Sequence, residues 1–166
     1  MTPVQIALTQ IRFARDYTNR LLDKIPSDLW YRMPTEGVTH VAWQAGHIAV
    51  AQYRLALQRI RGALPEDLDL IPLAFQQQFM KDSQPQSNLV ANPSVDEIRT
   101  VLDRVHEQVV REVPEFPEAH FDALTPRPHP LFQTLLGSLV WCGQHEMLHA
   151  GQIGLLRRLL GHSPIW

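Results

Sequence analysis

The sequence predicts an all-α fold, a four-helix bundle with long connections, and the spacing of its prolines is the first observation behind that reading. Thirteen prolines are spread unevenly over 166 residues. The stretches 4–25, 35–64, 94–113 and 131–163 contain none and hold 22, 30, 20 and 33 residues. A proline inside a helix costs about 3 kcal/mol, so long helices belong in these stretches. The second observation is that apolar residues recur within them at spacings of three and four, which is helical periodicity. No comparable pattern of short alternating segments with regular turns supports an all-β fold. The length predicts one domain over residues 1–166.

The first helix begins with Thr2-Pro3-Val4-Gln5, a capping-box pattern with proline in the first helical position. Val4, Leu8, Ile11, Ala14, Tyr17, Leu21 and Ile25 form its stripe, and Pro26 marks its exit. The second starts near Thr39, after Gly37, and ends at Gly62. Val41, Ala45, Ile48, Gln52, Leu55 and Arg59 share one face, while Trp43, Val50 and Leu57 make the far side apolar too. A helix apolar on two sides packs on two sides. Residues 63–93 form a long connection with a short helix near 73–80. The third helix opens with the capping box Ser94-Val95-Asp96-Glu97 and closes at Pro114. Residues 114–130, with five prolines, read as a loop. The fourth helix runs from about 131 to 160, with Arg157 and Arg158 in its last turns and Gly161 as its stop.

Composition narrows the function. A net charge of −2 gives no cationic excess for a phosphate backbone, so nucleic acid is not an expected partner. No 18-residue apolar run and no signal-peptide pattern are present. A single cysteine, Cys142, fits a reducing, cytoplasmic setting. Histidine is the unusual component, with eight residues.

The chemistry centres on His145-Glu146-Met147-Leu148-His149. Histidines at i and i+4 lie one turn apart on one face, so both rings can reach one ion. A helical wheel places both inside the stripe of Leu135, Ser138, Cys142, Ile153 and Leu156. A third ligand downstream, as in zincin proteases, would have to be His162, beyond the helix-stopping Gly161. Upstream, His47 and His40 lie on one flank of the second helix, and the mid-helix His47 is favoured. Three histidines leave a catalytic ion one open position. Glu146, on the same half of the helix, is the candidate general base. A carboxylate orienting a histidine, or a helix salt bridge, is the competing reading. Cys142, Trp43 and Trp141 read as core, and Gln152 as structural. Arg54, seven residues after His47, reads as a solvated or paired arginine that could alternatively hold an anionic substrate group. His106, His120, His129 and His162 read as surface or loop residues. Gly137, Gly143, Gly151 and Gly154 read as sites of close helix packing.

Ala45-Gly46-His47-Ile48 together with His145-x-x-x-His149-x-Gly151-Gln152 resembles the signature of the DinB-like (DinB/YfiT) metal-binding four-helix bundles. The resemblance covers nearly the whole chain. It implies a divalent metal, zinc or nickel, held by His47, His145 and His149. It also implies a place among proteins that include thiol S-transferases and thiol-dependent isomerases. The expected function is therefore a metal-dependent hydrolase or thiol S-transferase acting on a small molecule, with a low-molecular-weight thiol as co-substrate. The alternatives are a bundle merely stabilised by metal and a zincin-like protease. The apolar far side of the second helix and the resemblance both suggest a homodimer.

Overall fold

Thr2 caps the first helix as its sequence dictates: its hydroxyl accepts from the Gln5 amide while the Gln5 side chain accepts from the Thr2 amide. This helix, α1, spans Pro3–Leu22 in the computed structural model, which describes residues 1–34 and 38–165. Gly37, expected just before the second helix, lies outside the described residues. The α1 stripe of Val4, Leu8, Ile11, Ala14 and Leu21 is buried.

Helix α2 spans Val41–Tyr53. Its N-cap is His40 rather than Thr39, because the His40 Nδ1 accepts from the Trp43 amide at 3.0 Å. The Thr39 hydroxyl instead accepts from the Gln44 side chain at 3.0 Å. The helix continues through a π-helical turn, Arg54–Gln58, and a last α-helical turn, α3 (Arg59–Arg61), to Gly62 at φ +88°. The Arg59 amide reaches back five residues to the Arg54 carbonyl. Across the core, the Ser138 hydroxyl donates to the Leu55 carbonyl at 2.8 Å. A helical turn widened in this way needs outside partners for its displaced backbone groups.

The connection that follows folds back over α2 as α4 (Asp67–Leu70) and α5 (Leu73–Phe79). Buried Asp67 anchors it. The carboxylate accepts from Arg61 Nη2 at 2.8 Å, from the Tyr53 hydroxyl at 2.9 Å and from the Leu64 amide at 2.9 Å. Helix α6 (Val95–Glu112) begins with the expected Ser94–Glu97 capping box and buries Ile98, Val101, Leu102, Val105 and Val109.

Residues 114–130 are not simply a loop. Two short 3-10 turns lead into an antiparallel pair, β1 (Leu124–His129) and β2 (Phe132–Thr134). Because Phe132–Thr134 is spent on this hairpin, α7 (Leu135–Leu159) starts later than predicted, capped by Thr134. It ends before Gly161 at φ +93°.

Helix α1 packs mainly on α7, and α2 on both α6 and α7, which gives the four-helix bundle with extensions. Gly143 permits the first contact: a Cβ there would stand 3.3 Å from the backbone of Gln10 and Ile11. Gly151 has no such role, since nothing lies within 4 Å of the corresponding position. Arg15 ties the four helices together inside the core. Its Nε donates to Glu146 Oε1 at 2.8 Å and its Nη2 to Glu146 Oε2 at 3.3 Å. Nη1 donates to the Leu102 carbonyl at 2.6 Å, and Nη2 to Gln52 Oε1 at 2.9 Å.

Candidate metal centre

Helix α2 brings His47 to a point opposite His145 and His149, which lie one turn apart on α7. One ring nitrogen from each lies within 4.8 Å of the others. The Nε2 atoms of His145 and His149 are 3.2 Å apart. Two imidazoles on one tetrahedral zinc, with bonds of about 2.0–2.1 Å, stand about 3.3 Å apart, so this pair already has the required spacing.

The proton positions follow from the partners. His47 Nδ1 lies 2.8 Å from the Phe79 carbonyl oxygen, an atom that only accepts. The proton therefore sits on Nδ1 and leaves the Nε2 lone pair free. His149 Nδ1 lies 2.5 Å from Gln44 Oε1. Gln44 Nε2 donates to the Thr39 hydroxyl, which leaves Oε1 to accept from the His149 Nδ1 proton. His149 Nε2 is then unprotonated as well. Metal-binding histidines are commonly oriented in this way, with the second nitrogen donating to a carbonyl-type oxygen.

Gly46 makes the Phe79 contact possible. A Cβ at Gly46 would lie 2.5 Å from atoms of the Phe79 ring. Only glycine allows α5 to approach closely enough for the Phe79 carbonyl to meet His47. Trp43 stacks on His47 at 4.8 Å and is held by its indole N–H on the Ser83 hydroxyl at 2.9 Å.

Burial is the largest influence on all three rings and disfavours their charged forms. It outweighs the Phe79 carbonyl to lower His47, with Arg54 adding to the effect. Together with the repulsion that a protonated ring would meet from neighbouring imidazoles, it brings His145 to about 4 and His149 to about 3. At neutral pH all three are uncharged, the state a metal requires.

The remaining expected residues are placed as follows. Glu146 is buried, and both its oxygens accept from Arg15 on α1, which is the salt-bridge alternative rather than a free carboxylate beside the rings. His40 uses both ring nitrogens, one on the Trp43 amide and one on the Gln86 carbonyl. Cys142 is buried, and burial pushes its thiol up, so it behaves as a small core residue. Gln152 is exposed. His106, read as a surface residue, is half-buried: its Nδ1 lies 3.2 Å from Gln52 Nε2, and burial with Arg15 nearby lowers it to about 3. His120 donates to the Ile60 carbonyl at 2.8 Å.

The histidine cluster opens into a cavity of about 600 Å³. Trp43 and Trp141 line it and so are more than core residues, and Arg54 and His129 are lining residues too. Sequence reasoning missed Gln44 and the Phe79 carbonyl. Gln44 was detectable, being one helical turn before His47. A backbone carbonyl 32 residues away left no signal.

A bundle of four helices with a three-histidine cluster between two of them defines a helical metal-binding class. Residues 10–153, most of the chain, match the DinB superfamily, and the chain belongs to that superfamily. No curated protein matches it.

Proposed function

We propose that this protein is a metal-dependent enzyme in which His47, His145 and His149 hold a zinc or nickel ion beside the cavity, and in which water or a low-molecular-weight thiol attacks a small electrophilic substrate. The observation that carries the reading is the convergence of three uncharged rings beside an open cavity of about 600 Å³, within the size range of small-molecule sites. Structural metal sites are normally closed by four protein ligands, and only three such donors meet here among the described residues.

The ion's contribution in such a site is to make water or a thiol a nucleophile near neutral pH. The protein's own contribution is orientation. The Phe79 carbonyl and Gln44 hold the His47 and His149 rings in the tautomer that presents Nε2. Trp43 and Trp141 supply apolar walls. Glu146 is assigned no proton transfer. Its pairing with Arg15 supports a role in anchoring α7 between the two ligand positions.

The single buried cysteine is consistent with a cytoplasmic location. A homodimer would form through the outer faces of α1 and α7, where Phe13 is 63% exposed, because α5 covers the far side of α2. Light scattering at two protein concentrations checks this.

Metal analysis of purified wild type and of His47→Ala and His149→Ala tests the core of the proposal. The wild type is expected to hold about one ion per chain and both variants to lose it. Equal loading of all three would overturn the site. With metal present, assays on simple esters and on electrophiles with added thiol separate hydrolysis from S-transfer. An absence of turnover in both would leave a stabilising metal as the reading.

A further inference from the structure

We infer that the small molecule taken by this site carries an anionic oxygen group, a carboxylate or a phosphate, held by Arg54, Arg59 and Lys81 beside the three histidines. This rests on the reading of the cavity as a substrate site.

Three cationic side chains line the histidine cavity, and no aspartate or glutamate does. The chain as a whole has 17 acidic and 15 basic residues, so the local balance runs against its composition. A neighbouring cavity of about 300 Å³ shares Arg54 and Arg59 and adds Arg127, again with no carboxylate in its lining. None of these four cations forms an ion pair with an acid among the described residues. Their charge is left facing the two cavities.

The backbone is shaped for this grouping. In a regular α-helix Arg54 and Arg59, five residues apart, would point about 140° away from each other. The π-helical turn Arg54–Gln58 closes with the Arg59 amide on the Arg54 carbonyl, which brings position i+5 back over position i. Both arginines consequently line the same two cavities. Arg59 is fixed there without being neutralised: Nη1 donates to the Arg127 carbonyl at 3.1 Å, and the guanidinium lies 5.3 Å from the centre of the Phe132 ring. Burial first, then the charges of Arg54 and Arg127, lower the Arg59 pKa, a sign of cations crowded without a counter-ion.

His129 adds a donor. Its Nδ1 accepts from the Leu131 amide at 3.2 Å, so in the neutral ring the proton is on Nε2. Arginine offers a planar fork that matches carboxylate and phosphate oxygens, and a concave cationic site concentrates anions from solution. Trp43, Trp141 and Leu131 line the same cavity and give it apolar wall for the body of such a molecule.

The test is calorimetric titration of the full chain, both zinc-loaded and stripped of metal by a chelator, with 3-phenylpropionate, phenyl phosphate and the neutral 3-phenylpropionamide. Arg54→Gln, Lys81→Gln and the double variant are run alongside, with circular dichroism and metal content as checks of folding and of the histidine site. Both substituted residues are exposed, so the fold is expected to persist. At least one anion should bind about tenfold or more tighter than the amide, in metal-free protein as well as loaded. Each single substitution should weaken that binding by about tenfold, the loss of one charge-assisted contact. The tighter of the two anions identifies the group as carboxylate or phosphate. Equal binding of amide and acids, or no binding of either anion, overturns the inference. So does anion binding that survives the double substitution and disappears with the metal, because the ion alone would then hold the anion. If the chain takes up no metal at all, the metal site has failed, and the metal-free titration still decides the anion site.

Discussion

Gln44 determines which nitrogen of His149 is available, and Phe79 does the same for His47. Removing the first of these partners should cost metal affinity without removing a ligand. Gln44→Ala is expected to weaken zinc binding by about 10- to 100-fold, measured by competition with a chelating dye, while Gln44→Glu, which still accepts from Nδ1, keeps most of it. Glu146 separates two roles cleanly. A general base would, on substitution, lose turnover at unchanged stability. As the partner of buried Arg15, Glu146→Ala should instead destabilise the fold by about 3–5 kcal/mol in urea denaturation, because it leaves a buried guanidinium uncompensated. The three histidines themselves were legible in the sequence, since i, i+4 spacing and a mid-helix partner are one-dimensional patterns. The fate of Glu146 was not: whether a carboxylate faces a metal or an arginine 131 residues away depends on how α1 packs on α7.

Capping and periodicity carry most of the element-scale information. Thr2, Ser94, Gly62 and Gly161 mark boundaries where local hydrogen bonding or a positive φ is set by the residue itself. The hairpin of β1 and β2 was hidden because Pro126, Pro128 and Pro130 mask any alternating pattern, although the strands pair across only two intervening residues. The π-helical turn was hidden for a different reason. Nothing in Arg54–Gln58 departs from helical composition, and the Ser138 hydroxyl that meets the Leu55 carbonyl comes from another helix. Ser138→Ala should therefore act at a distance. Leaving that buried carbonyl unsatisfied is expected to cost about 1–3 kcal/mol by chemical denaturation. If it also lets the segment relax toward α geometry, Arg59 turns away from Arg54 and anion binding weakens while metal content holds. Gly46→Ala tests another inter-element contact. The added methyl must displace Phe79, with an expected loss of about 1–3 kcal/mol and a fall in zinc affinity as the Phe79 carbonyl withdraws from His47.

For the whole molecule, the metal would join α2 to α7, the pair of helices that carries all three rings, and would bind only when both are folded. Zinc at about 100 times its Kd should then add about 2.7 kcal/mol, or about 5–10 °C in Tm for a chain of this size, in differential scanning calorimetry. The pH dependence of the metal-free protein has a definite sign. Burial lowers His145, His149 and His106 in the folded chain to about 4, 3 and 3, from the ordinary imidazole value of about 6.5. Below pH 6.5 the unfolded chain binds protons that the folded chain refuses, so folding weakens as pH falls. Stability is full above about pH 6.5, declines through the window down to about pH 3, and loses nothing further from these groups below it. Zinc should remain bound well below pH 6.5, because protons compete for the His145 and His149 nitrogens only near their lowered pKa values. The gap in Tm between zinc-loaded and metal-free protein should thus persist at pH 5 and close toward pH 4. In His149→Ala no such gap should appear at any pH, while the decline due to His106, on the other side of the Arg15 network, should remain. A zinc-dependent gap that survived the loss of His149 would place the ion elsewhere in the bundle.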